Sequence, residues 1–329
     1  MPSDVVQSKT LLVRLADINL NPGGPFCMSY QFPLQRLKAS IERVGILNQP
    51  YLFDGSPFIV VCGYRRLLAV RELGWTEVAC RVLPHGLHPL EALLFSLYDN
   101  QTVRQFNPIE KAMVLKRLCQ YLPKEEVLNY LSLLELPSNR NTLQEYVNLA
   151  DLDDEIKASV AAERLSTRVC GRMRSLGAED QLQINHLFTA LKWSFTLQWQ
   201  SMLWIQEIAD REGRSVRDVV DDERISTVLT KGTMNGPQKV KAIVRAIRQW
   251  RFPKLVASEK SFRQGIRDLR LPPKVRVVPP PYFEGTEYKL EVGFREGKEL
   301  RKTVAELYRT PGLEEIPRLW KSEQFDDEG

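Results

Sequence analysis

The sequence predicts an α+β N-terminal domain, followed by a mainly α-helical region and a small C-terminal βα unit. Between residues 10 and 90, short β-rich runs alternate with stretches of helical apolar spacing. From Pro89 to about Pro253, apolar residues recur three and four positions apart, which is typical of amphipathic helices. Beyond a Pro-rich stretch, TEYKLEVGF alternates as a strand does, and KELRKTVAELY (Lys298–Tyr308) again has helical spacing.

Each element of the N-terminal domain has its own signal in the sequence. The predicted elements are a strand at Leu11–Ile18, a helix at Leu34–Val44, a hairpin within Gln49–Gly63, a helix at Arg65–Leu73 and a strand at Thr76–Leu83. Gly45 and Gly74 follow the two helices, where glycine commonly ends a helix. An Asp-Gly pair marks the turn of the hairpin.

A chain of 329 residues is too long for one ordinary core, so we expect two or three domains. The expected limits are an N-terminal domain at 1–112, a helical domain at 113–236, a basic helical segment at 237–270, a Pro-rich linker at 271–283 and a βα unit with an acidic tail at 284–329. The βα unit is too small to bury a core alone. We therefore expect it to dimerise or to pack back on the body.

Composition excludes several classes of protein. No window holds the roughly 18 uninterrupted apolar residues that a membrane helix needs, and Met1–Thr10 lacks the pattern of a signal peptide. The five cysteines never form a CxxC pair, which argues against a disulfide framework or a zinc site; they are Cys27, Cys62, Cys80, Cys119 and Cys170. We expect a cytoplasmic protein without a membrane partner.

The segment CGYRRLLAVRELG (Cys62–Gly74) suggests a phosphate site. Gly63 follows an apolar strand, and Arg65 and Arg66 lie in the first turn of the next helix. Glycine allows close approach of the backbone to a ligand, and helix N-terminal amides together with guanidinium groups bind anions. The alternative interpretation is a helix start with two exposed arginines.

The segment YDNQTVRQFNPIEKA (Tyr98–Ala112) suggests a metal and phosphate site. Asp99 and Asn100 stand side by side at a helix end, and their oxygens suit Mg²⁺ bound together with a triphosphate. Arg104 follows Asn100 by one helical turn. A capped junction between two helices would explain the same residues.

Taken together, these segments resemble the ParB/sulfiredoxin-like domain of the ParB partition family. GYRRLLA is similar to the family signature GxRRxxA, and DNQTVRQFNPIEKA is similar to ENxxRxxLNPIEEA. The run ASIERVGILNQPYLF resembles the helix, glycine and strand that precede them. The resemblance covers roughly residues 10 to 115. A weaker likeness, to the helix-turn-helix that follows in the family, continues to about residue 225.

The resemblance implies a domain that binds CTP with Mg²⁺, hydrolyses it slowly and uses it to control a DNA clamp. It places the phosphates at Gly63, Arg65 and Arg66, with Tyr64 between them where the family often has Glu. Asp99 replaces the family's Glu in metal contact and hydrolysis, and Asn100 matches its metal-binding Asn. The residues expected beside the nucleotide also include Gly45, Gln49 and Arg104.

The sequence departs from the family pattern at two places. With the Asn-Pro of the second signature aligned, the family's arginine falls on Val103, and here it is one residue later, at Arg104. Such a shift turns a side chain on a helix by about 100°, so whether Arg104 reaches the ligand stays open. The N-terminus lacks the family's LGxGL-type motif for a ParA-type ATPase, and that partnership is not assumed.

Duplex DNA is the expected macromolecular partner, in the nucleoid, with the protein as a homodimer. The start of the second helix of a helix-turn-helix reads base edges; here these residues are Arg140, Asn141, Thr142 and Gln144. Phosphate contacts are expected from Arg168, Arg172 and Arg174 in RLSTRVCGRMRS. A dense basic block between Lys239 and Arg276 is either a polyanion footprint or a solvated helix face.

Two other functions remain open. The first is a DNA-binding adaptor that keeps the fold without binding nucleotide. The second is an enzyme on this fold, either a sulfiredoxin-like reductase or a nuclease. A sulfiredoxin needs a cysteine inside the phosphate loop, where this chain has Tyr64-Arg65-Arg66, and a nuclease needs clustered carboxylates, where only Asp99 is well placed.

Overall fold

The computed structural model describes residues 8–84 and 86–316. The chain divides into two units, Met1–Met202 and Leu203–Gly329. The domain limits drawn from the sequence stay a prediction. No helix within the described ranges is long and apolar enough to cross a membrane. The acidic tail expected at the C-terminus lies outside the described residues.

A five-stranded mixed sheet organises the start of the first unit. Its strands are β1 (Lys9–Arg14), β2 (Ile18–Asn19), β3 (Tyr51–Phe53), β4 (Phe58–Cys62) and β5 (Glu77–Leu83), in the order β1-β5-β3-β4-β2. The pairs β1–β5 and β3–β4 are antiparallel, whereas β2–β4 and β3–β5 are parallel. The expected mixed α and β structure, including the β3–β4 hairpin, is confirmed.

Four helices complete the part of the fold that holds the site. They are α1 (Gln35–Val44), α2 (Tyr64–Glu72), α3 (Pro89–Val103) and α4 (Pro108–Tyr121). Reciprocal capping boxes begin α3 and α4: the side chains of His88 and Asn107 accept from backbone N–H groups of the first turn, and a glutamate bonds back in each case. A proline occupies the first position of both helices, where its missing N–H costs nothing.

The strand expected to enter a loop within Leu11–Ile18 is present. Strand β1 ends at Arg14, a 3-10 turn covers Leu15–Asp17, and β2 begins at Ile18. Leu15 is buried, and the guanidinium of Arg14 bonds to the carboxylate of Asp17 at 2.9 Å. The turn thus places Leu15 in the core and moves the chain from one edge of the sheet to the other.

The rest of the first unit is helical, as expected, with one interruption. Its helices are α5 (Lys124–Val127), α6 (Arg140–Leu149), α7 (Asp154–Ala161), α8 (Thr167–Met173), α9 (Ala178–Ala190) and α10 (Phe195–Glu212), and the boundary between the units falls inside α10. The helix expected over KEEVLNYLSLL is only α5, followed by 3-10 turns at Leu128–Tyr130 and Ser132–Leu134. The hydroxyl of Ser132 donates to the carbonyl of Asn129, a local bond that competes with regular helix.

The second unit begins with helices and ends in a hairpin and a helix. It contains α11 (Val216–Val220), α12 (Glu223–Thr230), α13 (Gly236–Arg251), α14 (Pro253–Asp268), antiparallel strands β6 (Val275–Val278) and β7 (Lys289–Val292), and α15 (Gly297–Tyr308). The C-terminal βα elements are confirmed. The expected Pro-rich linker at Leu271–Phe283 instead contains β6, because Val275 is buried and Phe283 packs on Phe262 of α14, with ring centroids 5.5 Å apart.

Leu52 lies in the central strand β3 and is fully buried. We expect Leu52→Ala to lower the free energy of unfolding by about 2–5 kcal/mol, since it removes buried methyl groups and leaves a cavity. Urea denaturation followed by circular dichroism measures the change. The matched control is Leu12→Ala on β1, where the side chain is 70% exposed, and we expect a change within about 0.5 kcal/mol. Equal losses in the two variants would contradict the packing described here.

Candidate functional site

Gly63 joins β4 to α2 in a conformation that needs glycine. Its φ is +86°, and a Cβ built there would lie 3.0 Å from Pro50. The loop before β3 therefore lies against the start of α2. Because the first N–H groups of a helix have no partner within the helix, this end of α2 offers donors to an anion.

A cavity of about 380 Å³ opens at this helix start. It is lined by the loop around Met28 and Ser29, the end of α1 with residues 45–48, the start of α2 and the end of α3. Of the residues predicted from the sequence, it brings together Gly45, Gly63, Tyr64, Arg65, Arg66, Asp99, Asn100 and Arg104. Gln49 is not among the lining residues; its side-chain oxygen accepts from the hydroxyl of Thr10 at 3.4 Å.

Two of the pocket arginines meet on one buried carboxylate, that of Glu110 in α4. Its Oε1 accepts from Nη2 of Arg65 at 2.6 Å and from the backbone N–H of Tyr30 at 3.0 Å. Its Oε2 accepts from Nη1 of Arg104 at 2.5 Å and from the backbone N–H of Asn107 at 3.1 Å. The side chain of Glu110 is 1% exposed, so these four donors replace its lost hydration.

Arg65 is held on three sides. Besides its bond to Glu110, its Nε donates to the hydroxyl of Ser29 at 3.1 Å. Its guanidinium lies over the ring of Phe32, 4.3 Å from the centroid. The side chain still keeps 29% exposure, on a residue that lines the cavity. Arg65 is thus a fixed cation rather than a flexible surface arginine.

The displaced arginine of the second signature does reach the pocket. Helix α3 ends at Val103, and Arg104 follows it in an extended conformation. Because Arg104 lies outside the helix, the 100° rotation expected for a one-residue shift along a helix does not apply to its side chain. Arg104 donates to Oδ1 of Asn100 at 3.0 Å and to the carbonyl of Met28 at 2.5 Å. Burial lowers the pKa of its guanidinium, and the adjacent Glu110 carboxylate opposes that effect.

Arg66 and Asp99 form the loosest charge pair of the pocket. Nη1 of Arg66 donates to the carbonyl of Asn48, and its Nη2 lies 3.7 Å from Oδ2 of Asp99. The side chain of Asp99 is 38% exposed. Asn100 is more constrained, because its amide donates to the carbonyl of Ser96 at 2.8 Å while its oxygen accepts from Arg104. Among these four charged side chains Asp99 is thus the most exposed, ahead of Arg65, Arg66 and Arg104.

Cys62 is the cysteine nearest the phosphate loop, and it is a poor nucleophile. The side chain is buried, and burial raises the pKa of its thiol, with the nearby Asp99 carboxylate acting in the same direction. Its position before Gly63 also differs from that of a catalytic cysteine inside the loop. Among the described residues, no group of three or more His, Cys, Asp or Glu is placed to hold a metal.

The comparisons with known proteins agree with the sequence signatures. The chain is 24% identical over 242 residues to a nucleoid occlusion protein of Geobacillus thermodenitrificans, covering 72% of this chain and 75% of that protein. It is 27% identical over 161 residues to a probable chromosome-partitioning protein ParB of Campylobacter jejuni, covering 49% and 56%. The chain is thus similar to nucleoid occlusion and ParB proteins, at 24% and 27% identity. No protein-family model matches it.

Two solved structures are also similar to this chain. Both are C-terminally truncated ParB from Caulobacter crescentus. The complex with CTP-gamma-S has a TM-score of 0.26 and 18% sequence identity, and the match covers 55% of this chain and 98% of that chain. The complex with the centromeric parS site has a TM-score of 0.31 and 17% identity, and the match covers 64% of this chain and 96% of that chain. The match spans little more than half of the Campylobacter ParB.

The predicted DNA contacts of the family's helical region lie on α6 and α8. On α6, Arg140 is exposed and pairs with Glu125 at 3.1 Å, and Gln144 bonds to Lys124 and Asn148. Asn141 is also exposed, while the backbone N–H of Thr142 is taken by the cap residue Asn139. Arg168 and Arg172 are exposed on α8, and the exposed Arg174 directly follows that helix. The guanidinium of Arg168 lies over the ring of Trp199, 4.0 Å from the centroid.

Glu110 is the site residue that the sequence interpretation missed. Its signal was its place three positions after Asn107, where a helix-capping glutamate is expected. That cap is formed, but the same carboxylate also orients Arg65 and Arg104. A capping position gives no indication that distant arginines will converge on it.

We expect Glu110→Gln to lower the free energy of unfolding by about 3 kcal/mol, because it leaves two partly buried guanidinium groups without a counter-charge. Chemical denaturation gives the value. The matched control is Glu135→Gln: that side chain is 75% exposed and 3.9 Å from Lys111, so a loss below about 1 kcal/mol is expected. Wild-type stability of the Glu110 variant would show that this ion cluster does not hold the pocket together.

Proposed function

We propose that this chain is a DNA-binding protein gated by CTP and Mg²⁺, acting in DNA partition, nucleoid organisation or transcriptional control. The observation that carries the proposal is the cavity at Gly63. There the start of α2, with Arg65 and Arg66, lines the same cavity as Asp99, and Nη2 of Arg66 lies 3.7 Å from the Asp99 carboxylate. Backbone donors and arginines suit phosphate oxygens, and a carboxylate suits the metal that accompanies them.

Two arginines, Arg65 and Arg66, are assigned to the phosphates, and they differ in how firmly the protein holds them. Glu110 and Ser29 hold Arg65 in place before a ligand arrives, which lowers the entropic cost of binding. Among the described residues, Arg66 donates a hydrogen bond to the backbone carbonyl of Asn48, and its guanidinium lies 3.7 Å from the Asp99 carboxylate. We therefore assign the larger share of the triphosphate contact to Arg66, with Gly63 allowing the backbone to approach.

Asp99 is the residue that fits Mg²⁺. Both polar ends of the Asn100 side chain are already used, so a metal contact through its oxygen requires Arg104 to release it. Asn100 therefore positions Arg104. Asp99 is the metal ligand and the residue that would take part in any slow hydrolysis of CTP. Bound Mg²⁺ would neutralise phosphate charge beside Asp99.

DNA binding is assigned to the helical part of the first unit. Arg168, Arg172 and Arg174 provide contacts to phosphates, which give affinity without sequence choice. Base reading falls to the exposed start of α6, at Arg140, Asn141, Thr142 and Gln144. The acidic Glu125 beside Arg140 must give way for that arginine to reach a base.

One observation favours a second candidate, an adaptor that binds DNA without nucleotide. Arg65 and Arg104 are both paired with Glu110, and Arg66 lies near Asp99. The charges of the pocket are thus largely balanced within the protein. A chain that had lost the ligand while keeping the fold would have the same internal pairing.

The family suggests a homodimer, and the end of the second unit offers a surface for one. Tyr308 of α15 is 91% exposed, and Val304, one turn earlier, is also exposed. Leu290 and Phe294 add exposed apolar area nearby in the sequence. Apolar side chains grouped in this way are typical of an interaction surface.

Titration calorimetry with CTP, ATP, GTP and UTP in Mg²⁺ tests the nucleotide proposal. We expect selective CTP binding in the micromolar range, about −8 kcal/mol, because the pocket matches the signatures of the family. Arg66→Ala removes the main phosphate contact and should abolish binding. The matched control, Arg71→Ala on the same helix, changes an exposed arginine away from the pocket and should leave binding unchanged. No binding of any nucleotide, with or without duplex DNA, would favour the adaptor.

Light scattering of the full chain tests self-association. We expect a dimer mass for the wild type and a monomer mass for the variant Val304→Asp with Tyr308→Asp, since two carboxylates in an apolar contact cost desolvation energy. Arg301→Asp changes the net charge equally on the same helix and should leave the dimer intact. A monomeric wild type, or equal masses for all three proteins, would contradict a dimer through α15.

A further inference from the structure

The second unit contains a cavity of about 550 Å³ beside α14. One wall is formed by residues 278–283, which are a valine, three prolines, a tyrosine and a phenylalanine. The other wall is formed by α14 and by one residue of α13; its charged members are Arg248, Glu259 and Arg263. A ligand matched to this cavity would combine apolar groups with charge.

The wall at 278–283 is held in a defined shape. Proline rings fix the backbone φ at three of its positions, and the backbone N–H of Phe283 donates to the carbonyl of Pro280 at 3.0 Å. Tyr282 and Phe283 have positive φ values, +56° and +62°, which cost energy in residues other than glycine. Phe283 packs on Phe262, with ring centroids 5.5 Å apart, while Tyr282 is 74% exposed at the cavity. Backbone strain of this kind is found mainly at functional sites.

The charged side of the cavity carries more positive than negative charge. Glu259 accepts two hydrogen bonds from the guanidinium of Arg248, at 2.8 and 2.5 Å. These hydrogen bonds, helped by the charge of the nearby Arg263, lower the pKa of the Glu259 carboxylate. One carboxylate thus compensates two arginines. Between Pro253 and Arg270 the sequence has five cations and two carboxylates, so an acidic ligand matches this side of the cavity.

Residues 317–329 of the chain itself, which lie outside the described residues, combine these properties. Their sequence is PRLWKSEQFDDEG, with apolar side chains at Leu319, Trp320 and Phe325. Phe325 is followed directly by three acidic residues, Asp326, Asp327 and Glu328. Aromatic side chains bury large apolar areas, and tryptophan is common at the centre of interfaces. The segment therefore complements the cavity in apolar character and in charge.

The described part of the chain ends within reach of the cavity. Gly312 lies against the end of α14, where a Cβ built on it would be 3.5 Å from Cδ2 of Leu269. Phe262, in the cavity wall, comes about 10 Å earlier along the helix axis, at about 1.5 Å per residue. Trp320 follows Gly312 by eight positions, and an extended chain covers about 3.3 Å per residue. The segment is thus long enough to bring Trp320 to this wall.

Other occupants match the cavity less well. A small apolar molecule would cover the wall of prolines and aromatic rings but leave the excess of positive charge unmatched. A polyanion without apolar groups would match the charge but leave the ring of Tyr282 in water. An acidic segment with aromatic side chains satisfies both walls. Because this one is attached to the second unit, its effective concentration at the cavity is on the order of millimolar.

We propose that residues 317–329 dock in the cavity of the second unit as an intramolecular ligand. Trp320 and Phe325 occupy the apolar wall at 278–283, and the three carboxylates that follow lie beside Arg263 and the neighbouring cations of α14. While docked, the segment covers positive charge of α14 and closes the cavity, so the second unit carries its own inhibitor of any other ligand of this cavity. This docking needs neither nucleotide nor DNA.

Fluorescence anisotropy with a fluorescein-labelled peptide of residues 317–329 tests this docking in the full chain. In the full-length variant W320S/F325S/D326N/D327N/E328Q the attached segment no longer competes, and we expect the peptide to bind with a Kd in the micromolar range. The wild-type chain should bind the peptide at least about tenfold more weakly, because its own segment competes at an effective millimolar concentration. A peptide of the same composition in scrambled order should also bind the variant at least about tenfold more weakly.

Two substitutions added to that variant locate the site. Tyr282→Asn removes the exposed ring with a residue that tolerates a positive φ, and Arg263→Gln removes a cation of the cavity; each should weaken peptide binding at least about fivefold. The matched control Arg301→Gln removes the same charge from an exposed position of α15 and should leave binding unchanged. Arg263→Glu together with a peptide carrying D326K and D327K should restore binding, which an unfolded protein could not do.

Absence of peptide binding to the variant with the altered segment would overturn the proposal. So would equal affinities of the wild-type chain and that variant, or binding that neither Tyr282→Asn nor Arg263→Gln weakens. Failure of CTP to bind the pocket at Gly63 would leave these expectations intact, because the peptide is titrated without nucleotide or DNA.

Discussion

The buried carboxylate of Glu110 constrains most of what surrounds the candidate site. Removing a carboxylate from water costs several kcal/mol unless donors replace its hydration, and here each oxygen receives one guanidinium and one backbone N–H. Those donors come from four separate segments: the loop at Tyr30, the start of α2, the residue after α3 and the start of α4. Satisfying one charge therefore fixes the relative positions of all four. The shape of the cavity follows from that arrangement.

The same cluster connects the pocket to the helical region of the first unit. Tyr30 donates its backbone N–H to Glu110, and its hydroxyl donates to the carbonyl of Asp154 at the start of α7, 3.2 Å away. Asn107 completes the connection, because its amide donates to the carbonyl of Tyr30 at 3.0 Å. A ligand that draws Arg65 or Arg104 away from Glu110 would change the partners of a loop that contacts α7. The geometry thus connects the pocket to α7, which lies in the chain between α6 and α8, the helices assigned to DNA.

Sequence reasoning found the parts of the site that depend on local chemistry. Gly63 was identifiable because a glycine between an apolar strand and a helix start implies an unusual backbone, and its φ is positive as that role requires. Arg66 and Asp99 followed from their helix ends. The convergence on Glu110 was not predictable, since nothing in NPIEKA shows which arginines approach from elsewhere. Arg104 was uncertain for a related reason: the sequence does not show that α3 ends just before it.

The same distinction applies to the fold and to its charges. Apolar periodicity located the helices and the hairpins, but it missed β6, because valines within a Pro-rich stretch look like a linker until a pairing strand is found. Counting charges in the sequence located the basic block, but it could not distinguish cations that form salt bridges within the protein from cations that do not. Arg248 and Arg267 are equivalent in a count, yet Arg248 is held by Glu259, whereas Arg267 forms no salt bridge with a carboxylate of the described residues. A cation that forms a salt bridge within the protein is less available to an external ligand. The cations that can bind a ligand are therefore those that stay exposed and unpaired in the folded protein. In the second unit, Lys260, Arg263 and Arg267 of α14 are exposed cations.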